Sequence, residues 1–275
     1  MIIDSHIHIS EQTPADGVFH FKLADGTDLS ISFGKGVDVS VNKLLSDMDE
    51  CRVDKACVVA FPEIASNEFL SKVVKSHPDR LVGFAWVNNP RTSQSVKELE
   101  KAVNELGLKG LKLHPGIQGF SPADPEIVPL IRKAAELNVP IFIHMYPYPP
   151  HGDFHNCLVE HIPVLWKRVP KATILIGHMG FPRFLDLLTI APLPGVYAET
   201  SWGLTLIADL YGINFATKFI RRIGADNVVF GSDWRGTNNE RKAQLSVIQK
   251  MRLTREEKEK ILGENMREVL EPRRH

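Results

Sequence analysis

The chain has 275 residues, enough for one large hydrophobic core and slightly more than a typical eight-stranded α/β barrel needs. Lys plus Arg and Asp plus Glu both number 33, so the formal charge is zero and nucleic acid is not expected as a partner. The cysteines, Cys51, Cys57 and Cys157, have no C-x-x-C spacing, which is typical of thiols in a reducing cytosol. No secretory segment precedes Asp4, and no apolar run approaches the roughly 18 residues of a membrane span, so we expect a cytoplasmic protein without membrane contact.

The N-terminal segment Ile2-Ile3-Asp4-Ser5-His6-Ile7-His8 predicts a short strand that ends in two imidazoles. Because strand side chains alternate, His6 and His8 point to the same side and can converge on one metal ion. A polar stretch over residues 10–40 follows, in which Asp25-Gly26 predicts a hairpin turn between two apolar runs. We expect this insertion to form a loop or lid directly after the His pair.

The rest of the chain alternates between helical and strand patterns. Helices are predicted near 41–52, 66–76, 92–106, 124–137, 157–168, 204–223, 240–251 and 255–270, and strands after the first near 56–61, 81–86, 110–114, 139–144, 172–178, 196–200 and 227–233. Eight such units favour a single α/β domain over residues 1–275, a (β/α)8 or TIM barrel. A doubly wound open sheet is the alternative, but the first strand lacks the Gly-rich turn of a dinucleotide site.

Polar residues stand at the ends of several predicted strands. The His pair ends the first strand, His144 the fifth, His178 the sixth and Asp233 the eighth. In a barrel these ends meet at the C-terminal face, where barrel enzymes carry their active sites. A lone His at a strand end is usually a structural residue, but imidazoles and a carboxylate that converge are suitable ligands for zinc or another transition metal.

Six segments resemble one known group of proteins. They are Ile3-Asp4-Ser5-His6-Ile7-His8, Gly110-Leu111-Lys112-Leu113-His114-Pro115, Pro140-Ile141-Phe142-Ile143-His144, Ile176-Gly177-His178-Met179-Gly180, Phe230-Gly231-Ser232-Asp233-Trp234 and Ile261-Leu262-Gly263-Glu264-Asn265. With them the sequence resembles the amidohydrolase superfamily, specifically its amidohydrolase-related branch of aminocarboxymuconate semialdehyde decarboxylase-like proteins. The resemblance spans nearly the whole chain in the right order, and it specifies the branch but not a substrate.

The resemblance implies that His6, His8, His144 and Asp233 are metal ligands and that His178 is a catalytic acid or base. Three neutral imidazoles and one carboxylate leave a divalent ion with a net charge near +1, so that a bound water can ionise close to neutral pH. His178 can exchange that proton, and Asp233 is placed to pass one to a leaving group. The alternative for Asp233 is a carboxylate that only orients a histidine. The expected cofactor is one divalent transition metal ion, zinc in the first place and manganese in the second.

Lys112 bears on the number of metal ions. In dinuclear members of the superfamily a lysine at the end of strand four is carboxylated and bridges two metals, and Lys112 lies close to that position. The Lys-Leu-His-Pro pattern is instead characteristic of the branch that resembles mononuclear enzymes, so one metal is favoured. Lys112 and His114 share strand parity, so both can face the pocket and contact substrate or form structural hydrogen bonds.

Further candidate substrate contacts follow the strand ends. They are Tyr146, Trp202, Trp234 and Arg235, with Tyr148, His151 and His155 also near the predicted pocket mouth. Tyr and Trp supply apolar walls with one polar group, and Arg235 can bind a carboxylate bidentately. Loop packing and surface solvation are the alternative for each of these residues.

The leading functional prediction is a metal-dependent hydrolase that directs an activated water at an amide, lactone or ester-like carbonyl of a small, anionic organic molecule. The first alternative is non-oxidative decarboxylation of an aromatic or unsaturated carboxylic acid by the same site. The second is a metal-binding module without catalysis, which the intact His178 and Asp233 argue against. Zero net charge disfavours a nuclease or phosphodiesterase, and it is compatible with a homodimer.

Overall fold

The structure is a computed structural model that describes residues 1–148 and 152–271. Eight parallel strands form one sheet in this order: β1 (Ile3–Ile7), β4 (Lys55–Val59), β5 (Leu81–Trp86), β6 (Gly110–Leu113), β7 (Ile141–Ile143), β8 (Ile174–Ile176), β9 (Val196–Glu199) and β10 (Val228–Val229). The first and last strands meet, because Ser5 N–H donates to the Phe230 carbonyl and His8 N–H to the Trp234 carbonyl, both at 3.0 Å. The predicted TIM barrel is confirmed.

The strands are apolar throughout because both of their faces are buried. Inside the barrel, Phe84 and Phe142 pack with smaller residues of the neighbouring strands, while the larger core lies between the strands and the outer helices. Two glycines make room for these rings. A Cβ on Gly110 would lie 2.4 Å from the Phe84 ring, and a Cβ on Gly177 would lie 2.8 Å from the Phe142 ring.

The α-helices are α1 (Val41–Cys51), α2 (Asn67–Ser76), α3 (Ser93–Asn104), α4 (Pro115–Gln118), α5 (Val128–Glu136), α6 (Ile162–Arg168), α7 (Leu187–Ile190), α8 (Gly203–Tyr211), α9 (Ile213–Ile223), α10 (Asn239–Lys250), α11 (Arg255–Glu259) and α12 (Asn265–Leu270). The single helix predicted near 204–223 is wrong, because Gly212, with φ 84° and ψ 155°, ends α8 and precedes α9. The last predicted helix also contains a π-helical turn, Lys260–Glu264.

The insertion after β1 contains the predicted hairpin. Its strands, β2 (Val18–Lys22) and β3 (Asp28–Ser32), pair antiparallel with Val18 opposite Ser32. Phe21 packs edge-on against Phe61, with ring centroids 5.2 Å apart, which places the hairpin against the C-terminal face of the barrel. Within the described ranges, no helix has the length and apolar character that a membrane crossing requires.

Candidate metal centre and active site

Three predicted ligands converge at the C-terminal face. His6 Nε2 and His8 Nε2 lie 3.6 Å and 3.2 Å from Asp233 Oδ1. All three side chains are almost completely buried. Their ligand atoms lie within 4.8 Å of one another, the spacing at which side chains can share one ion.

His144 and His178 adjoin this group. His178 Nε2 lies 3.0 Å from His144 Nδ1, and the His178 ring centroid is 5.3 Å from that of His6. Over residues 1–148 and 152–271 the donor clusters of this spacing are His6 with His8 and Asp233, and His6 with His178 and Glu199. His144, a predicted ligand, belongs to neither cluster but contacts the second one through His178.

The hydrogen-bond partners of His144 and His178 indicate which ring nitrogen carries the hydrogen. His144 Nε2 lies 2.9 Å from the Tyr146 carbonyl and His178 Nδ1 lies 3.2 Å from the Ser201 carbonyl, so each of these nitrogens donates. In neutral rings the remaining nitrogens, His144 Nδ1 and His178 Nε2, then face each other at 3.0 Å with lone pairs. A cation or a proton beside them relieves this contact, so the donor set fits a metal ion.

Burial keeps the histidines in the neutral form that binds metals. It lowers the pKa of His8, lowers that of His178 to about 4, and together with the Lys112 ammonium lowers that of His6 well below its usual value. For Asp233, burial opposes ionisation, but the Arg235 guanidinium and the hydrogen bond with His8 favour the ionised form, and the carboxyl pKa lies well below its usual range. The centre therefore combines neutral nitrogen donors with an ionised carboxylate.

Lys112 and His114 face the site, as their strand parity predicts. Lys112 Nζ lies 3.2 Å from His6 Nε2 and 4.0 Å from the Phe142 ring centroid, and burial lowers the pKa of this amine to about 7. His114 Nδ1 accepts the Ile117 N–H at 3.3 Å, and its ring stacks on His144 with centroids 3.9 Å apart. His114 thus packs against the His144 ring and also lines the inner pocket described below, so substrate contact and a structural role both stay predictions.

Two adjoining pockets lie above these residues and share part of their lining. The inner pocket, about 70 Å³, is bounded by the histidines, Lys112, Asp233 and Arg235 on one side and by Ile31, Phe33, Phe61 and Ile64 on the other. The outer cavity, about 510 Å³, is bounded by His144, His178, Asp233 and Arg235, by Ser30, Ile31 and Ser32 of the hairpin, and by Tyr146, Tyr148, Trp202 and Leu206. The outer cavity is large enough for a small organic molecule.

Four of the predicted substrate contacts line the outer cavity: Tyr146, Tyr148, Trp202 and Arg235. Trp202 Nε1 donates to Asp233 Oδ2 at 2.8 Å, and Arg235 Nε lies 3.8 Å from the same oxygen. The Arg235 guanidinium also lies 5.5 Å from the ring centroids of both Phe33 and Trp202. Arg235 is therefore half-buried, at the junction of the two pockets.

Two other predicted contacts are placed elsewhere. The prediction for Trp234 is wrong, because its indole is fully buried and donates to Asp47 Oδ2 at 3.0 Å. The reason is that Asp233, with φ 54°, ends the extended backbone and turns the next side chain behind the strand. His155 is exposed and pairs with Asp153 at 3.2 Å, and His151 lies outside the described residues.

Glu199 and Ser201 belong to the site, although the sequence patterns did not single them out. Glu199, at the end of β9, is fully buried and accepts backbone N–H groups of His178 at 3.0 Å and Ser201 at 2.7 Å. Burial raises the pKa of its carboxyl to about 7. The available signal was the one used for Asp233, a carboxylate at the end of a predicted buried strand.

A TIM barrel with imidazoles and carboxylates gathered at its C-terminal face defines the class of metal-assisted barrel enzymes. The family model described as "Amidohydrolase" matches residues 3–271, and the chain belongs to this family. Members of the family are enzymes that bind a divalent metal. The resemblance to the aminocarboxymuconate semialdehyde decarboxylase-like branch is also confirmed.

Several curated relatives are named as decarboxylases. The chain is similar to a 2-amino-3-carboxymuconate-6-semialdehyde decarboxylase of Dictyostelium discoideum, with 23% identity over 61% of this chain and 55% of the relative, so it spans about half that protein's length. A gamma-resorcylate decarboxylase of Polaromonas is 27% identical over 62% of this chain and 64% of its own length. These names favour the decarboxylase alternative over the hydrolase prediction.

Solved structures share the fold. The 2,6-dihydroxybenzoate decarboxylase from Rhizobium superposes with a TM-score of 0.71, at 17% identity and over 98% of both chains. A dihydroxybenzoic acid decarboxylase from Polaromonas, solved with manganese and 2-nitroresorcinol, has a TM-score of 0.68, at 19% identity over 98% of this chain and 96% of that one.

Proposed function

We propose that this protein is a metal-dependent, non-oxidative decarboxylase of a small aromatic or unsaturated carboxylic acid. The observation that carries the proposal is the position of the histidine and aspartate donors between a narrow apolar-walled pocket and a larger aromatic cavity. The names of the curated relatives support the same reaction.

The residues that would hold one divalent ion are His6, His8, His144 and Asp233. When bound, the ion supplies positive charge that binds and polarises the substrate carboxylate and a neighbouring oxygen. Three nitrogen donors and one oxygen donor suit zinc, and manganese, which accompanies a relative's inhibitor complex, accepts the same set. We propose a single ion, with Lys112 Nζ acting as a hydrogen-bond donor to substrate oxygen.

The apolar wall of the inner pocket favours loss of the carboxylate. Ile31, Phe33, Phe61 and Ile64 face the donors there, so a carboxylate in this pocket gives up much of its hydration. Carbon dioxide is neutral and needs little hydration, so desolvation disfavours the bound acid more than the product of bond cleavage. The bond between the carboxyl carbon and its neighbour breaks, and the electron pair stays on the neighbouring carbon.

His178 is the proposed proton carrier. Its Nε2 holds a lone pair at the wall of both spaces, and its pKa of about 4 leaves the ring neutral near neutral pH. Nε2 takes a proton from solvent or from a hydroxyl of the substrate and delivers it to the carbon that loses its carboxyl group. One proton is consumed for each carbon dioxide released, and no water is consumed.

Arg235 and the aromatic walls orient the rest of the substrate. Arg235 lies between Phe33 and Trp202 at the junction of the two spaces, where it can bind a second oxygen substituent of the acid. Tyr146 and Trp202 offer flat apolar surfaces on which a planar ring can lie.

The test uses a panel of hydroxybenzoic and unsaturated acids labelled with carbon-13 at the carboxyl group, incubated with zinc- or manganese-loaded protein in deuterium oxide. We expect labelled carbon dioxide and a product with one deuterium at the former carboxyl position. A parallel panel of lactones, esters and amides in oxygen-18 water tests hydrolysis. Oxygen-18 incorporation there, without carbon dioxide from any acid, would overturn the proposal in favour of the hydrolase.

His178→Asn separates an enzyme from a binding module. We expect this variant to lose at least ~10²-fold in rate while it keeps its metal, because the proton carrier is removed and the predicted ligands stay. His77→Asn is the matched control, since His77 follows α2 at the opposite end of the barrel strands. Equal rates for the two variants would exclude the role given to His178.

A further inference from the structure

Ser201 brings two active-site histidines to one hydroxyl group. Its Oγ lies 3.3 Å from His6 Nδ1, 3.0 Å from His178 Nδ1 and 2.7 Å from Glu199 Oε2. The four side chains come from β1, β9 and the segments after β8 and β9, and all of them are buried. This contact links the ring of a predicted metal ligand to the ring of the proposed proton carrier.

Glu199 fixes where the hydroxyl proton of Ser201 points. Glu199 Oε1 accepts the Ser201 N–H at 2.7 Å, and Oε2 accepts the His178 N–H at 3.0 Å and the Ser201 O–H at 2.7 Å. A serine hydroxyl has one proton, so its oxygen can only accept from the two imidazoles. With Glu199 ionised, both His6 and His178 therefore carry their hydrogen on Nδ1 to bond with this oxygen.

The neighbouring backbone supports this arrangement. The Ser201 carbonyl, which can only accept, lies 3.2 Å from His178 Nδ1 and requires the same hydrogen there. Gly231 makes room for the carboxylate, because a Cβ at this position would lie 1.9 Å from Glu199 Oε1. His178 thus has two acceptors for its Nδ1–H, the carbonyl and the hydroxyl. His6 Nδ1 lies 3.3 Å from the hydroxyl and 3.9 Å from Glu199 Oε2, which is beyond hydrogen-bond distance.

We propose that Ser201 and Glu199 are positioning residues that set the tautomers of His6 and His178. A neutral imidazole with hydrogen on Nδ1 has its lone pair on Nε2. His6 Nε2 faces Asp233 Oδ1 at 3.6 Å, and His178 Nε2 faces His144 Nδ1 at 3.0 Å. One serine therefore prepares a nitrogen donor for the metal and a proton acceptor for the reaction. The proposal rests on the proposed metal site but holds for decarboxylation and hydrolysis alike.

The first experiment reads the tautomers without metal or substrate. Full-length protein labelled with nitrogen-15 in histidine and stripped of metal is examined by long-range proton–nitrogen correlation NMR. We expect Nδ1–H tautomers for both His6 and His178 in the wild type. In Ser201→Ala, His6 loses its acceptor and becomes a mixture of tautomers, while His178 keeps its Nδ1–H against the carbonyl of residue 201.

The second experiment measures affinity for zinc ions by competition with a chelator. We expect Ser201→Ala to weaken zinc binding about 10- to 100-fold, because part of the His6 population presents N–H to the ion. Ser95→Ala is the matched control, since Ser95 is a buried serine of α3 whose Oγ donates to the Thr92 carbonyl at 2.7 Å. It should change neither the tautomers nor the affinity.

Two results would overturn the proposal. One is an Nε2–H tautomer of His6 or His178 in the wild-type protein, a measurement that needs no variant and stays decisive if Ser201→Ala does not fold. The other is a folded Ser201→Ala protein with unchanged His6 tautomer and unchanged zinc affinity. Neither result depends on turnover, so failure of the proposed reaction would be recognised separately.

Discussion

The buried ion pair between Asp4 and Arg241 allows a quantitative test of what joins the first strand of the barrel to the segment after the last strand. Arg241 Nε lies 3.0 Å from Asp4 Oδ2, and neither side chain has exposed surface. Asp4 also accepts the Ser232 backbone N–H at 2.9 Å and the Ser232 hydroxyl at 2.6 Å. Because Asp4 precedes His6 by two residues and Ser232 adjoins Asp233, the pair joins the segments that carry both kinds of proposed ligand.

Arg241→Met removes the cation and leaves the carboxyl group buried. Loss of one partner from a buried pair costs ~3–5 kcal/mol of the free energy of unfolding. Two features reduce this cost, whereas the lost hydrogen bond from Arg241 Nη1 to Asn238 Oδ1, at 2.7 Å, adds to it, so we expect a loss within this range. Ser232 still donates twice to Asp4, and Arg241 Nη2 is a buried donor without a hydrogen-bond partner in the described part of the chain, so its removal relieves an existing cost.

The cost should also depend on pH. Burial raises the pKa of Asp4 and Arg241 lowers it, so in the variant the folded-state pKa rises further above the unfolded value. A carboxyl group with a raised folded pKa favours folding when it is protonated, and this contribution is lost as the pH rises. The variant should therefore be less destabilised under mildly acidic conditions than under mildly alkaline ones.

The assay is equilibrium urea unfolding of metal-free protein, so that metal binding does not add to the measured free energy. Arg255→Met is the control, because Arg255 is 91% exposed and pairs with Glu259 one turn away, so the unfolding midpoint of this variant should not change. A loss below about 1 kcal/mol for Arg241→Met, or a loss independent of pH, would refute the reasoning, since a desolvated charge pair must give both effects.

Three further predictions concern single groups. In metal-free protein the pKa of His178 is lowered from 6.5 to about 4, so its neutral ring stabilises the folded state above pH 6.5, and on the order of 3 kcal/mol of the free energy of unfolding is lost as the pH falls towards 4. Urea unfolding midpoints measured against pH check this, and a flat profile would contradict it. Burial raises the pKa of Cys57, and raises that of Cys157 to about 12, so a thiol reagent should modify only the half-buried Cys51 in folded protein and all three cysteines in urea. Equal modification rates of the three cysteines in the folded protein would be evidence against the burial of Cys57 and Cys157. Arg235→Met should raise KM for an active acid at least ~10-fold with a smaller change in kcat, as measured by initial rates, because its role is to bind the substrate; an unchanged KM would remove Arg235 from the site.

The barrel could be predicted from the sequence because each of its strands is buried on both faces. β7, for example, is an apolar run bounded by Pro140 and His144, and such runs separated by helical patterns indicate a parallel sheet. The hairpin followed from Asp25-Gly26 and the alternating runs on either side. These features depend on short segments, which a sequence pattern describes well.

The helix breaks could not be predicted in the same way. Apolar spacing continues across Gly212, so the pattern of residues 204–223 indicates one helix, and only the backbone conformation of Gly212 divides it. The π-helical turn near the C-terminus packs closely against the start of the chain, since a Cβ on Gly263 would lie 2.5 Å from the Met1 carbonyl oxygen. Periodicity reports which face is buried and does not report a local change in backbone hydrogen bonding.

In the candidate site, too, the sequence predicted side-chain directions correctly within a strand and incorrectly where the backbone turns after it. Alternation correctly brought His6 and His8 to one side because both belong to nearly extended backbone, but it misplaced Trp234, which follows a residue in the left-handed region. His178 and Asp233 both have positive φ, 58° and 54°, a conformation that costs non-glycine residues about 1–3 kcal/mol and persists only where neighbouring contacts enforce it. The hydrogen bond from His178 N–H to Glu199 is one such contact, so the residue that the sequence patterns overlooked is also the one that helps to hold the proposed proton carrier in place.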